Sequence, residues 1–430
     1  MGVANSAGHA AREGSMGRRL VVCLDGTGNE IGRTISNVLK LYRVLDRGPD
    51  QIVYYDPGVG TIDRPSTWNR IKQNSHAVAG LALGVGLDQN VLDAYSFLCR
   101  TYMPGDELYL FGFSRGAYTA RVLAGFIHMI GLLEPEQLNL CGYALTSYKR
   151  ANEENDLSLA WQFKRNVRSR TVLMRLVGVW DTVSSVIVPR RDRLYLPDLE
   201  RLPYTRRNPS VKAFRQAISI DERRRMFRLS KWVEDQPYRP RPFVPSSEVP
   251  QDVRQVWFAG AHADVGGGYP ETESGLSKFP LLWMIDQAVS AGLTVNRSLV
   301  NQIGWGDQRT GGTMAFERPD ACGPAHRSLR RAWWLLEPLP KLARLREWPG
   351  RWKLFGLYLP LAEPRLIPEN SILHQSVLDR IAARIGYAPI NLPRTYRIEP
   401  HSVRHRPQRP ARGRSGLKPS APGAVLTPVP

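Results

Sequence analysis

Glu107-Leu108-Tyr109-Leu110-Phe111-Gly112-Phe113-Ser114-Arg115-Gly116-Ala117-Tyr118-Thr119-Ala120-Arg121 is the stretch on which the reading of this chain turns. Glu107 to Phe111 is a short apolar run of the kind that forms a buried strand. Ala117 to Ala124 reads as a helix. The pattern G-x-S-x-G therefore falls on a strand-to-helix turn, the context in which it describes a nucleophile elbow. A turn this sharp has no room for Cβ atoms two residues before and two residues after the serine, which asks for glycine at 112 and 116. The Ser114 hydroxyl is expected to stand clear of the sheet at a helix N-terminus, whose unpaired amides favour a developing negative charge.

Outward from the elbow, the same alternation recurs. Arg19 to Leu24 is a β-rich apolar run ending in the loop Asp25-Gly26-Thr27-Gly28-Asn29, and Gln51 to Asp56 is another, followed by Pro57 to Thr61. Val172 to Trp180 ends at Asp181. Gln255 to Gly260 ends at Ala261-His262-Ala263-Asp264-Val265-Gly266-Gly267-Gly268-Tyr269. Asn37 to Leu45 and Leu87 to Tyr102 carry helical spacing. Strands separated by helix-length segments predict an α/β fold, a mostly parallel α/β-hydrolase-like sheet with helices on both faces. In such sheets functional loops gather at the carboxyl ends of the strands. Asp25, Asp56, Ser114, Asp181 and His262 share that address. The expected organisation is a disordered N-terminus over 1–17, a catalytic domain over 18–395 with helical or irregular cap insertions near 190–250 and 318–368, and a basic, proline-rich tail over 396–430. The 318–368 stretch interleaves Trp333, Trp334, Trp348, Trp352, Leu354 and Phe355 with Lys341, Arg344, Arg346, Arg351 and Lys353. It reads as a cap packed on the core with its cations outward, or as a surface lying on lipid; the cap is favoured.

A serine hydroxyl needs a base, and the base needs an orienting acid. Ser114, Asp181 and His262 occur in the α/β-hydrolase order of nucleophile, acid and base. His374 is the alternative base, since Leu373 to Leu378 reads as the start of a late helix; His326 has less support. The oxyanion donors are expected to be the backbone amide of Arg115 and an amide of the loop at Gly26 and Thr27. Asp25 reads as a loop cap. Leu24-Asp25-Gly26-Thr27 also suggests an aspartyl phosphatase, but the nucleophile position of that pattern holds Cys23. No spacing among His262, Asp264, Asp25 and Asp181 is diagnostic of a metal site, and Gly266-Gly267-Gly268 lacks the Lys-Ser/Thr of a phosphate loop. Neither metal nor cofactor is expected.

The chain has 430 residues, 42% of them hydrophobic, enough for one large core. Its formal charge of +20 is compatible with anionic lipid, nucleic acid or simply a basic surface. Part of it lies from His401 onward, where Arg404, Arg406, Arg409, Arg412, Arg414 and Lys418 stand among six prolines with no acid. The expected partners are a lipid or other ester substrate and an anionic membrane surface, with nucleic acid disfavoured; oligomeric state is not legible. Cys23, Cys99, Cys141 and Cys322 show no disulfide or zinc spacing, and the first two read as small buried hydrophobes. Residues 1 to 19 contain no apolar run of signal-peptide type, and His76 to Leu87 is too short and glycine-rich to span a bilayer. The expectation is a soluble chain, cytoplasmic as synthesised.

Three segments, Leu24 to Asn29, Gly112 to Arg121 and Phe258 to Tyr269, together with His374-Gln375-Ser376-Val377, resemble the α/β-hydrolase family (DUF2235 type) that includes the Tle1-like phospholipase effectors of type VI secretion. The resemblance covers roughly residues 18 to 385. It implies an α/β-hydrolase fold and, from its characterised members, phospholipase activity with a Ser-Asp-His triad. By position it gives Ser114 as nucleophile and His262 as base, with Asp181 as acid, and it implies export by a specialised secretion system. The expectation is a serine hydrolase cleaving carboxylic esters, above all of phospholipids, through an acyl-enzyme. The competing expectation is a non-enzymatic basic module binding anionic lipid or nucleic acid, whose binding weakens steeply with salt.

Overall fold

The computed structural model describes residues 17–26, 34–58, 86–153, 158–183, 187–189, 197–199, 202–224, 226–241, 244–308, 315–329, 331–334, 337–338, 340–342, 348, 353–383 and 386–404. Eight strands form one sheet: β1 (Arg19–Leu24), β2 (Gln51–Asp56), β3 (Glu107–Phe113), β4 (Met174–Trp180), β5 (Val211–Ser219), β6 (Asp252–Phe258), β7 (Ser371–His374) and β8 (Tyr396–Glu399). Their order across the sheet is β8-β7-β6-β5-β4-β3-β1-β2, and every neighbouring pair is parallel. The α/β-hydrolase-like architecture read from the sequence is the one observed.

Period-two alternation divides the apolar residues between the two faces. Leu20, Val22, Leu24, Leu108 and Leu110 pack under helices α2 (Leu87–Thr101), α3 (Arg115–Ile130), α4 (Cys141–Glu153) and α5 (Ser158–Val167). Val21, Cys23, Tyr109, Phe111 and Phe113 face α1 (Asn37–Val44) on the opposite side. A short helix, α6 (His262–Gly266), follows β6; α7 (Gly275–Ser290) and α8 (Arg297–Ile303) then complete the α1 face, and α9 (Gln375–Ala383) follows β7. With both faces covered, the central strands are buried over most of their length, as parallel sheets require. Cys23, Cys99 and Cys141 are buried and unpaired, and Cys322 is also free.

Three expectations about the chain's later half are corrected. The stretch near 190–250 is not only an excursion, since it supplies β5 between β4 and β6. Its apolar pattern is broken by Arg215 and Gln216, which the fold satisfies internally: Arg215 binds both carboxylate oxygens of Asp252 (3.0 and 2.6 Å), and Gln216 Oε1 accepts from Arg121 Nη2 (2.9 Å). The sheet extends past 395, because Tyr396–Glu399 pairs with Ser371–His374 as the edge strand. His374 ends that inner strand rather than opening a helix. The N-terminal residues 1–16 and the tail from 405 lie outside the described residues, as do Arg344, Arg346, Arg351 and Trp352.

What is described of the 318–368 stretch looks both ways. Buried Glu363 accepts from the Tyr358 hydroxyl (2.5 Å) and the Trp348 amide (3.3 Å), and Glu337 accepts from the Ala362 amide (3.0 Å). Trp333 meets Phe227 edge-on at 5.5 Å. Outward, Leu354 and Leu357 exchange backbone hydrogen bonds (2.9 Å each) around Phe355 and Gly356, both at positive φ (47° and 74°), which is the geometry of a tight two-residue hairpin turn. Phe355 at its tip is 94% exposed, beside exposed Leu354, Leu357 and Leu359.

Candidate active site

The strand order reverses at β1, whose neighbours are β2 on one side and β3 on the other. A crevice opens where successive crossovers depart to opposite sides. Ser114 lies at this switch point, between β3 and α3, with φ 57° and ψ −120°. Neither glycine of the elbow has room for a side chain. A Cβ at Gly112 would stand 2.4 Å from the Gly116 carbonyl oxygen, and one at Gly116 would stand 2.2 Å from that of Leu24 and 2.5 Å from that of Asp25. The second approach presses the loop after β1 against the first turn of α3.

Asp181 follows β4, the next strand across, and His262 opens α6 after β6. His262 Nε2 lies 2.8 Å from Ser114 Oγ, and its Nδ1 lies 2.6 Å from Asp181 Oδ2. A carboxylate can only accept, so Nδ1 carries the hydrogen and Nε2 accepts from the serine. The imidazole is buried between Phe113 and Phe227, with ring centroids at 4.6 and 4.8 Å. Its backbone amide donates to buried Glu222 Oε2 (3.2 Å), and Glu222 is in turn paired with Arg224 (2.8 Å), which lies across Phe227. Burial pushes the His262 pKa down and outweighs the opposing pull of Asp181. Burial also opposes ionisation of Asp181, yet the neighbouring Arg365 charge and the His262 hydrogen bond hold its pKa well below the usual carboxylate range. The result is a neutral imidazole bridging an ionised carboxylate and a hydroxyl that is only half-buried.

The remaining sequence candidates fall elsewhere. His374 is buried, stacks on Phe258 (4.7 Å) and pairs through Nδ1 with Ser376 Oγ (2.8 Å), and burial lowers its pKa to about 3. The position at Ser114 is held by His262 instead. His326 Nδ1 lies 2.6 Å from Asp264 and its Nε2 lies 2.8 Å from Glu273. Asp25 ties its loop together, accepting from the Gly26 amide (2.7 Å), Tyr55 (2.8 Å) and Ser36. The Gly26 amide is thereby already engaged, while Thr27 lies outside the described residues. Arg115 supplies the first amide of α3, directly after the serine.

Sequence reasoning missed Arg365, Ser219, Glu222 and Phe227. Ser219 donates to Asp181 Oδ1 through both its amide and its hydroxyl (3.0 Å each). Arg365 reaches the same carboxylate from far down the chain. In a sequence with 59 lysines and arginines, no local pattern marks this one.

The sheet is α/β-hydrolase-like. Residues 18–287, more than half the chain, match the family described as "T6SS, Phospholipase effector Tle1-like, catalytic domain". The chain belongs to that family. It is 25% identical to the "Uncharacterized protein YEL023C" of Saccharomyces cerevisiae, over 88% of this chain and 81% of that protein. Among solved structures it is similar to an uncharacterised protein from Pseudomonas aeruginosa, with 19% identity, a TM-score of 0.35 and coverage of 65% of this chain and 46% of that one. A second is the Tle1 effector bound to the VgrG spike of the Type 6 secretion system, with 18% identity, a TM-score of 0.31 and coverage of 61% and 53%. A third is Thermogutta terrifontis esterase 2 phosphoramylated by tabun, with 12% identity, a TM-score of 0.29 and coverage of 66% and 87%. The chain thus spans about half the length of the first two solved proteins.

Proposed function

We propose that this protein is a serine hydrolase that cleaves carboxylic esters of phospholipids through an acyl-enzyme. The observation that carries the reading is the continuous hydrogen-bonded path from Ser114 Oγ through His262 to Asp181 (2.8 and 2.6 Å) at the switch point of a parallel sheet. Membership of a family described by its phospholipase effectors supports the lipid substrate.

In this reading His262 Nε2 takes the Ser114 proton as Oγ attacks the ester carbonyl. Asp181 stabilises the imidazolium that forms, and the oxyanion is met by the Arg115 amide at the start of α3. The proton then passes from His262 to the departing alcohol oxygen, leaving the acyl group on Ser114. Water, deprotonated by the same nitrogen, attacks the acyl carbon, and the reverse proton transfer releases the fatty acid and restores the serine. The apolar hairpin at Leu354-Phe355-Gly356-Leu357 supports contact with a lipid surface: its three large side chains are exposed among the described residues, and Trp333, earlier in the same cap, packs on Phe227 beside the imidazole. The chain's net positive charge favours an anionic bilayer as that surface. The domain is proposed to comprise the sheet and its cap, with the basic tail following it.

The test is labelling of the full chain with a serine-reactive fluorophosphonate, together with fatty-acid release from phosphatidylglycerol vesicles. Modification of Ser114, and loss of both signals in S114A, is the expected result. Labelling elsewhere, or undiminished release by S114A, overturns the reading.

A further inference from the structure

Asp181 is not held by the histidine alone. Arg365 Nη1 donates to Asp181 Oδ1 (2.5 Å) and Nη2 to Oδ2 (3.1 Å), so the guanidinium grips both carboxylate oxygens, sharing Oδ2 with the imidazole. The same fork donates to the Ser219 hydroxyl (2.6 Å), the Ser219 carbonyl (3.1 Å) and the Phe227 carbonyl (2.7 Å). Its side chain is 3% exposed, against 0% for Asp181. The backbone is fixed as firmly. The Arg365 carbonyl accepts from Asn391 Nδ2 (3.0 Å), and that amide also donates to the Ile220 carbonyl (3.1 Å). Ile367, two residues on, is buried with Ile218, Ile220 and Trp257.

From this geometry we infer that Arg365 is a positioning residue for the proposed hydrolysis: it fixes the rotamer of Asp181 against His262 Nδ1 and balances the acid's charge. The inference rests on the serine-hydrolase reading and extends it to a residue beyond the segment matched by the family, which ends at 287.

Two consequences differ in kind. The first is geometric. Asp181 sits at positive φ (34°) with both oxygens shared between Arg365 and other donors. Without the fork, Oδ1 keeps Ser219 and Oδ2 keeps His262, but the carboxylate loses the one group that bonds both of its oxygens and so fixes its plane against the imidazole. The second is electrostatic. The charged groups that face His262 are Asp181 after β4, and Glu222 and Arg224 after β5; Arg365 adds a cation behind Asp181. The two arginines offset part of the pull that the two acids exert on a proton at the imidazole. Removing Arg365 leaves a net negative charge beside it, and His262 then takes up a proton at higher pH. Since only neutral His262 can act as base, the acid limb of the rate profile moves to higher pH.

The test compares full-length wild type, S114A, R365Q and R365K in p-nitrophenyl butyrate hydrolysis across pH, after thermal melts establish which variants are folded. R365Q is expected to move the acid limb of kcat/KM up by about one pH unit and lower kcat about tenfold, with KM little changed. R365K keeps the charge but not the fork, so its limb stays near wild type while kcat falls. An arginine that merely pins the cap would lower the melting temperature without moving the limb. A wild-type limb in folded R365Q therefore overturns the inference. Should R365Q not fold, R365K decides: a wild-type kcat in R365K overturns the inference, and a reduced kcat on an unmoved limb supports it. Activity surviving in S114A defeats the hydrolase reading and this inference with it, whereas loss in S114A with an unmoved limb in R365Q defeats this inference alone.

Discussion

Two histidines in this protein stand in nearly the same pose and differ in their third partner. His262 Nδ1 is 2.6 Å from Asp181, and His326 Nδ1 is 2.6 Å from Asp264. At the far nitrogen, His262 meets the Ser114 hydroxyl at 2.8 Å and His326 meets the Glu273 carboxylate at 2.8 Å. A hydroxyl there can give up a proton to the ring. A second carboxylate instead favours a ring that keeps both of its protons. Burial lowers the pKa of His262, while burial of His326 is outweighed by its bonds to two acids, which raise it. His262 is set up to accept a proton, and His326 to remain charged and staple the 315–329 segment onto the start of α6, with its ring stacked on Tyr269 (3.5 Å). An Asp–His pair by itself therefore says little about catalysis; the group on the second nitrogen separates the two.

The largest effect that bears on this contrast is at the hydroxyl and its acid. S114A is expected to lose about 10⁴-fold or more in kcat, and D181N about 10³- to 10⁴-fold, with H326Q retaining wild-type turnover. Steady-state hydrolysis of p-nitrophenyl butyrate checks all three, and a comparable loss in H326Q would erase the distinction drawn here. Next in size, G116A places a methyl against the Leu24 and Asp25 carbonyls. It is expected to cost about 1–3 kcal/mol, read as a lowered urea midpoint, and to displace the loop after β1 from the elbow. A smaller effect belongs to the staple. Because the folded pKa of His326 is raised, its contribution is full below the ordinary value of 6.5 and fades as pH climbs through the raised value. Wild type should exceed H326Q in unfolding free energy most below pH 6.5, by up to about 1 kcal/mol for a partly exposed ion pair, read as a higher melting temperature, with the gap closing at alkaline pH. Last, with the His262 pKa lowered, the acid limb of wild-type kcat/KM should lie below pH 6.5. A limb above that value would mean that the Asp181 charge dominates over burial.

The elbow was legible because its constraint is local. A strand, a turn and a helix within fifteen residues leave marks in adjacent side chains, and the clash distances at Gly112 and Gly116 account for both glycines. Asp181 and His262 were legible at one remove, as polar residues directly past apolar runs. The central strand Val211–Ser219 was not, because its Arg215 and Gln216 find partners on Asp252 and Arg121, neither of them adjacent in the chain. The choice among His262, His326 and His374 was open for the same reason, since each lies in a plausible loop and only its contacts tell them apart.

By itself the sequence determined the parallel α/β class, the elbow serine and the set of acids and imidazoles from which a site could be built, since strand periodicity and turn sterics act between near neighbours. Tertiary structure decided which histidine reaches Ser114, which carboxylate orients it and which arginine holds that carboxylate. Those are matters of ångströms between residues 81 to 184 positions apart, and hydrogen-bond distance and buried charge have no counterpart in local spacing.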